Sequence, residues 1–254
     1  MDLRGAAPTS SPRGVVGGSP AFSSEQYEEA YPEGVERSFW HVARNAIVAD
    51  EIEKTRLQRG RLLEIGCGRG IVVEYLRDRG FDCIGCDLAA PVVAPRLTGS
   101  VLPSTDFRRL PAELRATITG VLLCDVLEHL QDPGELLRDV VESHPAMTHV
   151  LVTVPARTEL WSDWDVRYGH FRRYDLGTLV ATLEGAGLKI QSAHYFFHAL
   201  YAPMFLARGG RRGTKIEAPK RARLHRWLGK AFLLESRLVP SSIPGTSIIA
   251  VAAV

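Results

Sequence analysis

Apolar residues recur along the chain in two rhythms. Across 36–57 they fall at Phe39, Trp40, Val42, Ala43, Ala46, Ile47, Val48 and Ile52, close to the 3.6-residue period, and predict a helix that packs on the rest of the molecule. From Arg61 the pattern becomes short apolar runs divided by amphipathic stretches: LLEI, IVVEYLRDR, CIGCD, VLLCD, GELLRDVVES and HVLVTV. Strands alternating with helices imply a parallel sheet with helices on both faces. Beyond 155 the rhythm breaks, and 155–174 is polar, aromatic and charged without periodicity. A helix is then predicted over 176–186, stopped by Gly187, and a strand over 189–197. The β-branched and alanine run 247–254, behind Pro244 and Gly245, reads as a buried last strand.

Composition narrows the class. A chain of 254 residues with 45% hydrophobic and 24% charged residues suits one large domain with a sizeable core. Residues 1–24 are rich in Gly, Ser and Pro, lack the apolar core of a signal peptide, and read as a flexible tail ahead of a domain over 25–254. The longest apolar stretch, 195–207, holds His198 and Pro203 and falls short of the roughly 20 residues that span a bilayer. A net charge of +2 gives no global reason to expect a nucleic-acid partner. Basic residues are concentrated locally in a basic helical insertion over 199–230. Its 208–230 part reads as a solvated face, or as a contact for an anionic substrate or an acidic membrane surface. Cys67, Cys83, Cys86 and Cys124 all lie in predicted strands or strand ends, which suits a reduced, cytoplasmic compartment. A spacing of three along a strand turns Cys83 and Cys86 to opposite faces, which suits neither a metal site nor a redox pair, and no metal is expected.

The sharpest local signal is Leu62-Leu63-Glu64-Ile65-Gly66-Cys67-Gly68-Arg69-Gly70, followed by the helical IVVEYLRDRG. A strand ending in alternating glycines lets the backbone turn tightly and approach a ligand without a Cβ in the way, at the edge where open α/β sheets bind ligands. The strand FDCIGCD ends in Asp87, whose two carboxylate oxygens suit a pair of ribose hydroxyls. Taken alone, a glycine-rich turn is weak evidence, since a plain strand-to-helix connection is the alternative. Here the spacing is G-x-G-x-G, not the G-x-G-x-x-G of dinucleotide folds, and Glu64 stands two residues before the first glycine. That carboxylate suits a cofactor with a cationic amino-acid end better than a pyrophosphate.

Together with VLLCDVLEHLQDPGELL, these residues resemble the class I methyltransferases, and among them the bacterial small-molecule group related to ubiquinone-type O-methyltransferases. The resemblance runs from about Glu36 to the end. It implies a Rossmann-like, seven-stranded, mostly parallel sheet in the order 3-2-1-4-5-7-6, helices on both faces and a partial substrate cap. It implies S-adenosylmethionine as cofactor and S-adenosylhomocysteine as product. In that family the glycine loop wraps the methionine part, which places Gly66, Cys67 and Gly68 there beside Glu64. Asp87 with Leu88 would hold the ribose, and Cys124, Asp125 and Val126 would line the methyl region. Arg44, on the leading helix, is the candidate partner of the methionine carboxylate, against the alternative of an ordinary exposed arginine. The adenine pocket is expected around 105–107, with Asp106 accepting from the adenine amino group. An NAD-dependent oxidoreductase and a non-catalytic cofactor-binding relative are the rival readings; the glycine spacing and the DVLEH segment oppose the first.

The segment VPARTELWSDWDVRYGHFRRYDLGTL supplies a cap loop over 156–174 that sets aromatic beside ionisable residues, a composition suited to covering a small-molecule substrate. Trp161, Tyr168, His170, Arg173 and Tyr174 are the substrate-binding candidates. The alternative is that Trp161, Trp164 and Tyr174 pack the cap and Arg172 pairs with Asp165. For methyl transfer to oxygen, nitrogen or carbon of a metabolite, positioning supplies most of the acceleration, and His129 or His170 is the candidate base if the acceptor is a hydroxyl.

Overall fold

The computed structural model describes residues 28–55, 57–207, 216–240 and 242–254. The tail expected over 1–24 lies outside them. Seven strands form one sheet: β1 (Arg61–Ile65), β2 (Cys83–Cys86), β3 (Val101–Leu102), β4 (Ile118–Cys124), β5 (His149–Pro155), β6 (Lys189–Phe196) and β7 (Ser247–Ala253). Their order is β3-β2-β1-β4-β5-β7-β6, as the resemblance implies. β7 runs antiparallel to both β5 and β6, while the remaining pairs are parallel. The α-helices whose bounds lie wholly among the described residues are α1 (Phe39–Lys54), α2 (Ile71–Arg77), α3 (Ala112–Arg115), α4 (Pro133–Ser143), α5 (Asp163–Arg167), α6 (Leu176–Gly185), α7 (His198–Leu206) and α8 (Ala222–Leu238).

The continuous apolar runs are explained by burial on both sides of the sheet. Leu63, Val121, Leu123, Val150, Val152 and Ala250 point to the layer that holds Leu137 and Val140 of α4 and Leu179 and Leu183 of α6. Their strand neighbours Leu62, Leu122, Leu151, Ile249 and Val251 point to the opposite layer, against α1 and α2. Cys83 and Cys86 likewise fall in opposite layers, as their spacing predicts. Each fully buried leucine or valine of this kind stabilises the fold by roughly 1.5–3 kcal/mol relative to leaving it exposed.

The helix predicted over 36–57 begins later, at Phe39, because Ser38 stops the preceding 3-10 turn and its hydroxyl accepts the His41 N–H at 3.3 Å. It is also buried more widely than a one-faced pattern implies. α8 lies across its outer side, with Gly229 so close that a Cβ there would sit 2.5 Å from Val42 Cγ1. Phe39 and Phe232 stack at 5.4 Å, and Arg237 pairs with Asp50 at 2.6 Å. Segment 199–230 therefore holds most of α7 and the first half of a helix that continues to Leu238.

Candidate functional site

The carboxyl ends of β1, β2 and β4 meet at one edge of the sheet, and the glycine run turns there. Gly66, Gly68 and Gly70 all have left-handed φ, of 74°, 54° and 81°. A Cβ on Gly66 would also sit 2.9 Å from Val126 Cγ2, so only glycine fits this turn at full density. The loop is held to β2 by the N–H groups of Gly66 and Cys67, which both donate to the Cys86 carbonyl at 2.9 and 3.2 Å. Asp87 braces it further: one carboxylate oxygen accepts the Gly68 N–H and the other the Ala89 N–H, each at 2.8 Å.

Two cavities open from this edge. The smaller, of about 160 Å³, is lined by Asp87, Leu88, Asp106, Phe107 and Val126. Asp106 caps the short turn that follows it, accepting the Arg108 N–H at 3.0 Å, and pairs with the Arg108 guanidinium at 3.3 Å. The larger, of about 440 Å³, is lined by Arg44, Glu64, Cys67, Glu128, His170 and Arg173 among others. Tyr31, Gly66, Cys124, Asp125 and His129 border both cavities.

Electrostatics in the larger cavity are set by burial. Glu64, 3% exposed, has one carboxylate oxygen without a hydrogen-bond partner. Burial pushes its carboxyl up to about 8, although the Arg44 charge pulls the other way. Arg44 is buried rather than the exposed arginine of the alternative reading, and its Nε also lacks a partner. Burial works against its charge, yet Asp125, Cys124, Glu64 and Tyr31 keep it firmly cationic. Asp125 faces it at 3.5 Å and occupies a left-handed conformation, φ 57°, fixed by its N–H to Thr153 O (2.9 Å) and by the Thr153 hydroxyl, which donates to Asp125 Oδ1 at 3.2 Å.

The cap folds over this cavity as a 3-10 turn and the short α5. Its anchor is Asp165, which is completely buried. One Asp165 oxygen meets His170 Nδ1 at 2.8 Å and Arg173 Nε at 2.7 Å. The other accepts from the Ser162 N–H at 2.9 Å and the Ser162 hydroxyl at 3.1 Å. Burial opposes the Asp165 charge, but the hydrogen bonds from His170 and Arg173 outweigh it and hold the carboxyl down to about 2. Arg173, not Arg172, is thus the partner of Asp165. The extended segment around 173 alternates its side chains, and its register is fixed by the bridge between Ala156 and Tyr174. Arg172 turns away and donates to the carbonyls of Leu130 and Gln131 at 3.0 and 2.7 Å.

His170 meets His129 edge to face, with ring centroids 4.7 Å apart. Donor atoms of Glu128, His129 and His170 lie within 4.8 Å of one another, the one such convergence of three among the described residues. Burial, with the His170 charge, brings His129 down to about 4, so its ring is neutral near pH 7. Burial and then Asp125 push the Glu128 carboxyl far above the usual carboxylate range.

The structure therefore gathers Arg44, Glu64, Gly66, Cys67, Cys124, Asp125, His129, Tyr168, His170 and Arg173 around one cavity, and Asp87, Leu88, Asp106 and Val126 around its neighbour. Gly68 borders neither but ties Asp87 to the loop. Trp161 and Tyr174 border neither cavity. Trp161 is 39% exposed beyond the turn at Thr158–Leu160, and Tyr174 is sunk in the core, its hydroxyl donating to Leu127 O at 3.4 Å. Trp164 lines the cavity in place of Trp161. Sequence patterns gave no sign of Tyr31 or His41. Leu200 and Met204 were foreshadowed only by the apolar stretch that became α7.

A doubly wound sheet of this order, with a glycine turn after β1 and a carboxylate at the end of β2, defines a Rossmann-like cofactor-binding domain. The chain belongs to the methyltransferase-domain family, whose profile matches residues 39–193. A ubiquinone biosynthesis O-methyltransferase of Hahella chejuensis is 36% identical over 92 residues, which span 34% of this chain and 39% of that protein. The chain thus aligns with less than half the length of such curated relatives. Among solved structures, the plantazolicin methyltransferase BpumL, in complex with a triazolic desmethylPZN analog and SAH, superposes with a TM-score of 0.52 at 13% identity, covering 91% of this chain and 88% of its own. The [4+2]-cyclase SpnF does so with a TM-score of 0.50 at 21% identity, covering 88% and 85%. No helix among the described residues is long and apolar enough to cross a membrane.

Proposed function

We propose that this chain transfers the methyl group of S-adenosylmethionine to a hydroxyl of a small, largely apolar acceptor held beneath the cap. The observation that carries the reading is the pair of unmade interactions in one cavity: a buried Glu64 oxygen and the buried Arg44 Nε, both beside the Gly66 turn. A zwitterionic amino-acid end supplies an ammonium for the first and a carboxylate for the second, so both desolvation costs are offset by one ligand. Asp87 borders the adjoining cavity at the end of β2, where a carboxylate suits a pair of ribose hydroxyls. When bound, S-adenosylmethionine supplies an electrophilic methyl group on a sulfonium sulfur.

The remaining work belongs to the chain. Trp40, Trp164, Tyr168, Leu200 and Met204 give the larger cavity apolar walls that suit an apolar acceptor and exclude water. Ionised Asp165 fixes the tautomer of His170 by accepting from Nδ1–H, which would direct Nε2 to take the proton of the acceptor hydroxyl. Neutral His129 and Glu128, whose carboxyl burial pushes far above its ordinary range, line the same wall and orient the acceptor. Oxygen as the receiving atom is supported by the similarity to the Hahella ubiquinone biosynthesis O-methyltransferase.

The test is S-adenosylhomocysteine release with a panel of phenols, catechols and aliphatic alcohols, followed by mass analysis of the products. A 14-dalton gain at oxygen, reduced about 100-fold or more in His170→Ala, is the expected result. Methyl transfer confined to nitrogen or carbon acceptors and indifferent to His170→Ala would contradict the proposed base and acceptor.

A further inference from the structure

We propose that the outer face of α8, together with α7, docks on an anionic lipid surface. Seen along α8, three stripes divide the helix at 3.6 residues per turn. His225, Gly229, Phe232 and Ser236 face α1 and the body of the protein, none of them exposed. Leu224, Trp227, Leu228, Ala231, Leu234 and Leu238 form an apolar stripe on the outside, interrupted by Glu235, with Trp227 and Leu238 each 71% exposed. Between the two runs a basic stripe of Arg223, Arg226 and Lys230, all exposed. Lys230 lies 5.4 Å from the centre of the Trp227 ring, a long cationic chain laid along an apolar surface as at a membrane interface.

α7 adds to this face. Its sequence HALYAPMFL is apolar almost throughout, yet none of its residues is buried and Leu206 is 83% exposed. It is fastened to α8 by Glu235, whose carboxylate accepts the N–H groups of His198 and Ala199 at 3.2 and 2.6 Å. Its Leu200 and Met204, with Ile216 from the connection to α8, line the larger cavity, so the exposed apolar unit and the cavity wall are the same piece of chain.

Charge selects the occupant. Among the described residues 216–230 there are five lysines and arginines against the single Glu217. A second copy packed by a two-fold contact would bring this excess against itself, whereas anionic headgroups complement it. An apolar stripe with a basic flank on a helix that does not cross the bilayer is the pattern of a peripheral, interfacial contact.

The full-length protein is sedimented with vesicles of phosphatidylcholine alone and with vesicles one-third phosphatidylglycerol, at low and high salt. Two variants are run beside it: Trp227→Glu with Leu228→Glu, and Arg223→Glu with Arg226→Glu and Lys230→Glu. Binding to the anionic vesicles alone, weakened by salt and by about tenfold or more in each variant, is the expected result. Equal recovery with both vesicle types, or anionic binding unchanged in the variants, would overturn the proposal. So would a concentration-dependent dimer in light scattering that the apolar-stripe variant abolishes. The wild-type comparison of the two vesicle types decides the matter even if a variant does not fold.

Discussion

At the scale of single residues, Glu64 couples ligand binding to protons. Its carboxyl is held up to about 8 by burial, so the unliganded protein keeps a proton there at pH 7 that an ammonium ligand must displace. Affinity for S-adenosylhomocysteine is expected to rise from pH 6 to pH 8, with proton release seen as a dependence of calorimetric heat on buffer ionisation enthalpy; affinity flat over that range would count against the ion pair. The same linkage has a stability side. Above its ordinary value of roughly 4.3, the unfolded chain releases a proton that the folded chain retains, so this residue destabilises the fold progressively as pH rises to about 8. Glu64→Gln is therefore expected to raise the melting temperature at pH 8 while weakening the ligand by tenfold or more, as functional sites do when a strained group is removed. Much of this site was readable residue by residue: Glu64, Gly66 and Asp87 announce themselves by spacing. The choice of Arg173 over Arg172 was not, because it depends on a strand register set by the contact of Ala156 with Tyr174. Tyr31 reaches the cavities from a part of the chain with no local pattern at all.

At the scale of elements, the cap and α1 both border the site, and α8 packs across the outer side of α1. The cap depends on one buried anion. Asp165→Asn would leave Arg173 buried without its counter-charge, a loss of about 3–5 kcal/mol for a buried pair, and would free the His170 tautomer. Turnover in that variant is expected to fall at least as far as in His170→Ala, with a lower melting temperature as well; a variant with wild-type melting and rate would remove Asp165 from the account. The α1–α8 crossing depends on Gly229, and Gly229→Val is expected to cost about 1–3 kcal/mol through the collision with Val42, measurable as a shift in the urea midpoint. The sheet was legible because strands covered on both sides must be apolar throughout, as HVLVTV is. The crossing was not, since a glycine inside an amphipathic helix looks like a weak point until the helix packed against it is known.

At the scale of the whole molecule, acid is the weak side. His41 is held down to about 3 and His129 to about 4, in both cases first by burial. Between roughly pH 6.5 and those values the unfolded chain binds protons that the folded chain refuses, so each contribution is full above 6.5 and lost as pH falls. Asp165, depressed to about 2, adds a second loss between roughly pH 4 and 2. Glu64 and Glu128 act in the opposite sense above about pH 4.5, where burial holds their carboxyls up, so the loss shows below pH 4: urea midpoints should fall steeply from pH 4 to pH 2, and constant midpoints there would contradict the buried neutral His41 and the ionised Asp165. The order of the strands came from the resemblance that the glycine turn and its companions carry, whereas the alternation of strands and helices alone implied only a parallel sheet covered on both faces. The small identity to SpnF and BpumL over most of the chain shows that this framework tolerates wide change, so the chemistry rests on the site.

The most direct test is calorimetric titration of the purified protein with S-adenosylhomocysteine and, separately, with NAD. One-to-one binding of S-adenosylhomocysteine alone, weakened at least tenfold in Glu64→Gln and lost in Asp87→Ala, is the predicted result. Binding of NAD in its place, or S-adenosylhomocysteine binding indifferent to both substitutions, would contradict the assignment of this site.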